Sequence, residues 1–267
     1  MRTAILAALC LILVAPARAA EPPPDLAALY AISPKPGSAT VPFAEEQRQG
    51  AMRLAALGFG ARAGLARRSW EIGVMLERLT GPLSAIYRFG DLMLNEHGFT
   101  MLPPVLAETR QAFRLGRGQA RAASARLVLR IVKPERIVSA PPHWRDYLVR
   151  SWRAPEPPAA VLFPRGGPET ALWRQWLAEG WRHGTALGDD IFAADLDRLN
   201  RTFEGLVRWH RLHLAEMVSA PELTAVHAAV AGHERLLRIG ETSARLGKRA
   251  AFNLDTRAWK GPGGGPR

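Results

Sequence analysis

Cysteine is nearly absent from this chain of 267 residues, since its single occurrence is Cys10. Cys10 lies in an apolar stretch near the amino terminus, so the remainder of the chain carries no thiol. Disulfide bonds, thiol nucleophiles and cysteine metal ligands are therefore excluded for residues 11–267.

Long hydrophobic runs are also lacking, and none approaches the roughly 20 apolar residues of a membrane-spanning helix. Residues 1–20 instead predict a secretory signal, with Arg2 before an apolar segment and a small-x-small cleavage site at Ala17-Arg-Ala19. We expect cleavage next to Ala19 and Ala20, followed by release as a periplasmic or extracellular protein.

Lysine is scarce as well, although the chain is strongly basic. The 36 basic residues outnumber 24 acidic ones and give a formal charge of +12, yet the lysines are only Lys35, Lys133, Lys248 and Lys260. The arginines are spread among Ala, Gly and Pro, and an even spread is typical of a solvated surface rather than a phosphate-binding stripe. We therefore expect no specific nucleic-acid binding.

Motifs for catalysis and phosphate binding are missing. Residues 58–64 resemble a dinucleotide loop, but the spacing is one residue too long and the pattern around it is helical. None of Ser139, Ser151 and Ser219 stands in a G-x-S-x-G elbow. We expect no catalytic residue and no enzymatic activity.

The apolar periodicity predicts an α+β fold that is mostly helical. A helix from Pro42 towards Leu79 and a second over 82–95 should form a helical hairpin, and 168–219 predicts one long helix or two end to end. Its Asp195 and Asp197 have the spacings of ion pairs with Arg198 and Arg201.

Strand patterns are shorter and predict a small antiparallel sheet. Residues 125–132 alternate as a strand that should pair with 136–139, a short helix should precede residue 116, and 223–254 should form short strands around turns at 232–234 and Gly240. We divide the chain into a signal peptide (1–20), a Pro-rich flexible arm (21–41), a main domain (42–260) and a disordered tail (261–267).

His210, His213 and Glu216 are spaced by three on the predicted helix. Such spacing is compatible with a shared metal ion, and an ordinary solvated helix face is the alternative. The H-E-x-x-H pattern is absent, and we expect neither a metal nor a cofactor.

Gly180, Gly184 and Gly188 recur every four residues on the same predicted helix. Glycine costs about 1 kcal/mol of helix propensity relative to Ala, so close packing of another backbone is the expected compensation. The sequence leaves open whether that backbone belongs to this chain or to another subunit. Gly60 and Gly64 form a similar pair on the first helix.

The stretch Ala140-Pro-Pro-His-Trp-Arg-Asp-Tyr-Leu148 predicts a proline-stiffened corner that leads into a short helix. Trp144 and Leu148 are four apart and should enter the core. Arg145 and Asp146 should each meet a strand, a loop or a partner chain. Trp144, Arg145, Asp146 and Tyr147 are therefore candidates for either a fold-defining corner or an interface.

This corner resembles the corresponding part of the DotC family. Other segments resemble the same family in the same order, from about Ala51 to Lys260: Gly60-Ala-Arg-Ala-Gly-Leu-Ala66, Met75-Leu-Glu-Arg78, Ile86-Tyr-Arg-Phe89, Leu92-Met-Leu94, Leu102-Pro-Pro-Val-Leu106 and Ala178-Glu-Gly-Trp-Arg-His-Gly184.

The resemblance implies a non-catalytic structural subunit of a type IVB secretion or conjugation apparatus. In that family the protein is periplasmic and assembles with DotD-like and DotH-like proteins in a ring-shaped outer-membrane core complex. Family members are typically lipid-anchored through a cysteine at the cleavage point, and Leu9-Cys10 departs from that pattern, so outer-membrane association through partners is expected.

The alternative is a periplasmic hydrolase or ligand-binding protein that acts on cell-wall material. It predicts a deep cleft in which acidic residues converge with His210 and His213.

Overall fold

The computed structural model of the protein describes residues 22–32, 45–115, 122–153, 155–233 and 235–260. The predicted signal peptide with Ala19 and Ala20, residues 33–41 of the predicted arm, and the predicted tail 261–267 lie outside the described residues.

The described residues contain five α-helices and seven strands, which confirms the predicted α+β class with helix in the majority. In chain order they are α1 (Leu26–Tyr30), α2 (Glu45–Arg78), α3 (Thr80–Ile86), β1 (Leu94–Glu96), β2 (Phe99–Leu102), β3 (Val105–Leu115), β4 (Ala122–Lys133), β5 (Arg136–Val138), α4 (Arg145–Leu148), α5 (Gly167–Leu214), β6 (Glu222–His233) and β7 (Leu236–Lys248). Short 3-10 helices cover Phe89–Leu92, Ala160–Leu162 and Thr256–Ala258.

Two compact units make up the chain, and each is discontinuous in sequence. The first unit comprises residues up to Trp70 together with Trp152–Ala186, and the second comprises Glu71–Ser151 together with Leu187–Arg267. Both long helices, α2 and α5, contribute residues to each unit.

The first unit is built around the first parts of α2 and α5. Its buried cluster contains Leu29, Met52, Ala56, Phe59, Ala63, Phe163, Trp173 and Leu177. Leu29 lies on α1, whose first turn is capped by the Asp25 carboxylate accepting from the Ala28 amide at 2.8 Å. Residues 26–30 of the predicted flexible arm are therefore packed, because a buried leucine attaches them to this core.

A buried ion pair adds to the first unit. Arg48, which is 0% exposed, binds Glu169 and donates to the Phe163 carbonyl oxygen at 3.0 Å. The hydrogen bonds from Arg48 and from the Arg165 amide lower the pKa of the Glu169 carboxyl. Glu169 thus stays ionised in the first turn of α5, where the helix dipole also favours an anion.

The second unit contains three antiparallel sheets. Strands β1, β2 and β5 form one sheet, while β3–β4 and β6–β7 are separate two-stranded hairpins. Its larger buried cluster contains Ile72, Leu76, Phe89, Leu102, Val105, Trp144, Leu148, Leu199 and Leu206. A smaller one joins Leu106, Trp209, Val218 and Ala250.

Two predictions for the central strands are wrong. Residues 105–115 form strand β3 rather than a short helix, and β5 pairs with β2 rather than with β4. Residues 105–115 contain many good helix formers, but pairing with β4 from Val105↔Lys133 to Leu115↔Ala122 overrides that local preference.

The second predicted helix is also shorter than 82–95, because α3 ends at Ile86. The Tyr87 and Phe89 rings both pack edge-on against Phe203, with centroids 5.4 and 5.3 Å apart. Residues two apart on a helix point to nearly opposite sides, so a continued helix could not bring both rings to Phe203. The second predicted helix is therefore confined to α3, and a 3-10 turn and β1 follow it.

Helix α5 is continuous over 48 residues and ends five residues before the predicted Ser219. Its end is a Schellman motif, in which the Met217 and Glu216 amides donate to the Leu212 and His213 carbonyl oxygens at 2.9 Å and Glu216 has a φ of 55°. Beyond it, the predicted strands are confirmed but longer, and Gly240 lies within β7 with a φ of 69° rather than at a turn.

Among the described helices, none combines the length and apolar character needed to cross a membrane.

Candidate functional site

The proline corner is held against α2 and α3 in the second unit. Trp144 is 0% exposed, and its indole Nε1 donates to the Ser84 hydroxyl at 3.0 Å. Leu148 is buried as well, so both residues enter the core as their spacing predicts. The corner therefore anchors α4 through one large side chain.

Arg145 and Asp146 both have partners within the chain. The Arg145 guanidinium lies 4.3 Å from the centre of the Trp144 ring and donates to Glu77 at 3.0 Å and to the Thr80 hydroxyl at 2.9 Å. The Asp146 carboxylate accepts from the His143 amide at 2.7 Å. These contacts explain Arg145 and Asp146 by the geometry of the corner itself, without a partner chain.

Tyr147 stacks on Phe89, with parallel rings whose centroids are 5.9 Å apart. Burial raises the pKa of its phenol above the ordinary value. The Arg198 guanidinium lies 5.5 Å from the centre of the Tyr147 ring and donates to the backbone carbonyl oxygen of Tyr147 at 3.1 Å. Tyr147 thus connects the corner to the second half of α5.

The glycines at 60, 64, 180 and 184 form a close crossing of α2 and α5 in the first unit. A Cβ at Gly180 or Gly184 would collide with the carbonyl oxygens of Leu57 and Ala61, respectively. A Cβ at Gly60 or Gly64 would meet the carbonyl oxygens of Leu177 and Trp181. The backbone that packs on Gly180 and Gly184 therefore belongs to this chain. Gly188 is also buried.

The three metal candidates are not brought together. His210 Nε2 lies 3.0 Å from the Leu92 carbonyl oxygen, and His213 Nδ1 lies 3.1 Å from that of Val218. Glu216 pairs with Lys260, and it lies beyond the end of α5, where helical spacing no longer applies. Among the described residues no cluster of His, Asp and Glu is arranged to hold a metal ion.

The hydrolase alternative receives no support from these positions. The rings of His210 and His213 pack on Trp209, at 4.8 and 5.0 Å between centroids, instead of facing a cleft with acidic residues. The Ser219 hydroxyl accepts from the Ala251 amide at 3.0 Å in a loop contact. These groups contribute to packing and turn geometry.

Asp195, on α5 in the second unit, is a buried carboxylate. Its side chain is 7% exposed and binds Arg150 and Arg198, the latter at 3.1 Å as the i,i+3 spacing predicts. The hydrogen bond from Arg150 is the main reason that the pKa of Asp195 is lowered. The predicted Asp197–Arg201 pair is not found among the ion pairs of the described residues.

A basic groove that the sequence did not predict lies between α5 and the base of the β3–β4 hairpin. It has a volume of about 540 Å³ and is lined by Val105, Leu106, Ala107, Glu108, Arg130, Val132, Lys133, Arg198, Arg201, Thr202, Glu204 and Arg208. Helical spacing places Arg198, Arg201 and Arg208 near one face of α5, which is a signal in the sequence. The pairing of β4 with β3, which adds Lys133 and Arg130, was not foreseen.

A family model described as type IV secretory system, conjugal DNA-protein transfer, matches residues 46–261. Comparison with curated proteins finds no match.

Proposed function

This chain belongs to the type IV secretory system family of conjugal DNA-protein transfer, and we propose on that basis that it is a non-catalytic structural subunit of the transfer apparatus. The observation that carries the proposal is the extent of the match, which includes α2 through β7 and therefore both units. The proposal thus rests on a match along the whole fold rather than on a single motif.

Two long hairpins support a role in assembly. In β6–β7, apolar side chains on both strands are turned to solvent: Val226, Val230, Leu237 and Ile239 are 59 to 78% exposed. A two-stranded hairpin is marginally stable alone in water, and its open edges can accept another strand. Such a hairpin gains stability when a neighbouring subunit covers it.

The finer assignment rests on the resemblance to the DotC family. We place the chain in the periplasm as part of a ring-shaped outer-membrane core complex, with DotD-like and DotH-like proteins as partners. Membrane association through these partners fits the sequence at Leu9-Cys10, which departs from the lipidation pattern of the family. The proposal assigns no chemistry to the chain, and the hydrogen bonds and ring contacts of His210, His213 and Ser219 favour that assignment.

Affinity purification from detergent-solubilised envelopes tests the proposal. A carboxy-terminally tagged chain should co-purify with DotD-like and DotH-like proteins, and deletion of its gene should abolish conjugal transfer until the gene is restored. A variant that lacks residues 1–20 is the matched control, because it should remain in the cytoplasm and recover none of these partners. Recovery of the exported chain as a lone monomer would contradict the proposal.

A further inference from the structure

The basic groove is formed where α5 meets the first residues of β3 in the second unit. A Cβ at Gly205 would collide with the Val105 side chain and lie 2.9 Å from the Leu106 carbonyl oxygen, so helix and strand are in contact there. Arg208 fixes the same junction, because it donates to the Leu106 carbonyl oxygen at 2.8 Å. Helix and strand are therefore closely packed beside the groove.

Positive charge dominates the lining, which contains five cationic side chains and two carboxylates. One carboxylate, Glu108, is already bound by Arg208 at 3.1 Å and by Arg110 at 2.7 Å. Arg198 is likewise bound to Asp195. Among the described residues, no carboxylate lies within ion-pair distance of Arg130, Lys133 or Arg201.

Lys133 lies at the end of β4, beside α5. Its ammonium donates to the Thr202 hydroxyl at 3.2 Å, which offers no opposite charge. Burial lowers its pKa, and the nearby charges of Arg198, Arg136 and Arg201 lower it further. An anion in the groove would relieve this repulsion, since like charges disfavour one another's ionised forms.

The apolar part of the lining narrows the class of ligand. Val132, which is 44% exposed, contributes aliphatic surface beside the cations, and no aromatic ring lines the groove on which a nucleic-acid base could stack. A volume of about 540 Å³ holds a few side chains rather than a duplex. Carboxylates combined with aliphatic side chains match such a lining better than a phosphate backbone does.

We propose that this groove binds an extended acidic segment of a partner subunit, in which carboxylates alternate with aliphatic side chains. Alternation places the two kinds of side chain on opposite sides of an extended chain, so that one side can contact Val132 while the carboxylates reach Lys133, Arg201 and Arg130. The identity of the bound chain as an assembly partner rests on the proposed function, whereas the binding chemistry rests on the groove.

The test uses the full chain and three fluorescein-labelled probes. These are a ten-residue peptide of alternating Glu and Val, the same peptide with Gln in place of Glu, and a single-stranded oligonucleotide of equal charge. The variant carries Lys133→Gln and Arg201→Gln. Its matched control carries Arg126→Gln and Arg245→Gln, which remove the same charge from exposed positions on β4 and β7. Fluorescence anisotropy gives each Kd, and thermal unfolding verifies that every variant is folded.

The Glu/Val peptide should bind at least about tenfold tighter than the Gln/Val peptide and than the oligonucleotide, which corresponds to about 1.4 kcal/mol. The groove variant should lose that preference, and the control should keep it. Equal binding of the two peptides, tighter binding of the oligonucleotide, or equal losses in variant and control would each overturn the inference. If the peptide-binding experiment fails but the chain still recovers its partners from envelopes, the groove inference is wrong and the proposed function stands.

Discussion

The two halves of α5 make different kinds of contact. In the first unit, Gly180 and Gly184 meet the backbone of α2 directly, and no side chain could be added there without displacing it. In the second unit, Arg201 lines an open groove together with Arg130 and Lys133 of β4. One half therefore contributes to folding through steric fit, whereas the other leaves charge available for a partner. Substitutions should separate these roles, because the first kind changes stability and the second changes binding.

The largest expected effect is the loss of stability when the buried cluster of the second unit loses Trp144. Trp144→Ala removes a fully buried ring and its hydrogen bond to Ser84, and should lower the free energy of unfolding by about 3–5 kcal/mol. Trp259→Ala, at a site that is 41% exposed, is the control and should cost about 1 kcal/mol or less. Urea denaturation measures both, and equal losses would show that the corner is not an anchor.

The next effect tests the crossing in the first unit. Gly184→Ala should cost about 2–3 kcal/mol, because its Cβ would collide with Ala61 and force α2 and α5 apart. Gly73→Ala on α2 has open space and should stabilise the chain by about 0.5–1 kcal/mol through helix propensity alone. A lower unfolding temperature for Gly184→Ala and a higher one for Gly73→Ala would support the close crossing of α2 and α5. A stabilising Gly184→Ala would rule it out.

A pH experiment separates the enclosed charge of Asp195 from the open charge of the groove. The pKa of Asp195 is lowered in the folded chain. Its ionised form therefore adds stability at every pH above its unfolded pKa of about 3.9. That contribution is lost as the pH falls through the folded pKa. Asp195→Asn should cost about 1.5 kcal/mol at pH 7, and the gap from the parent should close below about pH 4. Chemical denaturation between pH 2.5 and 7 measures the gap, and a constant gap would contradict this account.

Arg145→Ala tests whether the corner is also an interface. The Glu77 partner is largely exposed, so the loss of stability should stay below about 1 kcal/mol. Because Arg145 already donates to Glu77 and Thr80 within the chain, we expect the Arg145→Ala variant to recover its partners normally from solubilised envelopes. Loss of those partners with unchanged thermal stability would restore the interface hypothesis for Arg145 and Asp146.

The smallest effect on stability belongs to the groove. Lys133→Gln together with Arg201→Gln should change the free energy of unfolding by no more than about 0.5 kcal/mol, because both side chains lack a carboxylate partner among the described residues. The same variant should lose acidic-peptide binding. A large loss of stability would mean that these cations serve folding, and the contrast between the two halves of α5 would fail.

Much of the fold could be predicted from local pattern. The long helices, the strand character of 125–132 and 223–254, and the buried positions of Trp144 and Leu148 all follow from periodicity. The pairing of β5 with β2 could not be predicted in this way, because it depends on residues more than thirty positions apart. Strand β3 was missed because long-range pairing overrides helix propensity.

For the candidate sites as well, the sequence predicts local features but not the contacts between residues far apart in the chain. The glycine spacing indicated a close crossing, but only the structure identifies α2 as the helix that fills it. The metal hypothesis for His210, His213 and Glu216 assumed a helix through residue 216, and the Schellman motif ends that helix at Leu214. The basic groove combines two elements far apart in sequence, so an even distribution of arginine along the chain concealed it.

The most direct test of a structural rather than catalytic role is the stoichiometry of the chain in the assembled apparatus. Quantitative mass spectrometry of complexes purified through a tagged partner gives the molar ratio of this chain to its neighbours. A fixed ratio near a small whole number, maintained when the chain is overproduced, is the predicted result. A variable ratio far below one partner equivalent, with conjugal transfer still at its normal level, would contradict the account.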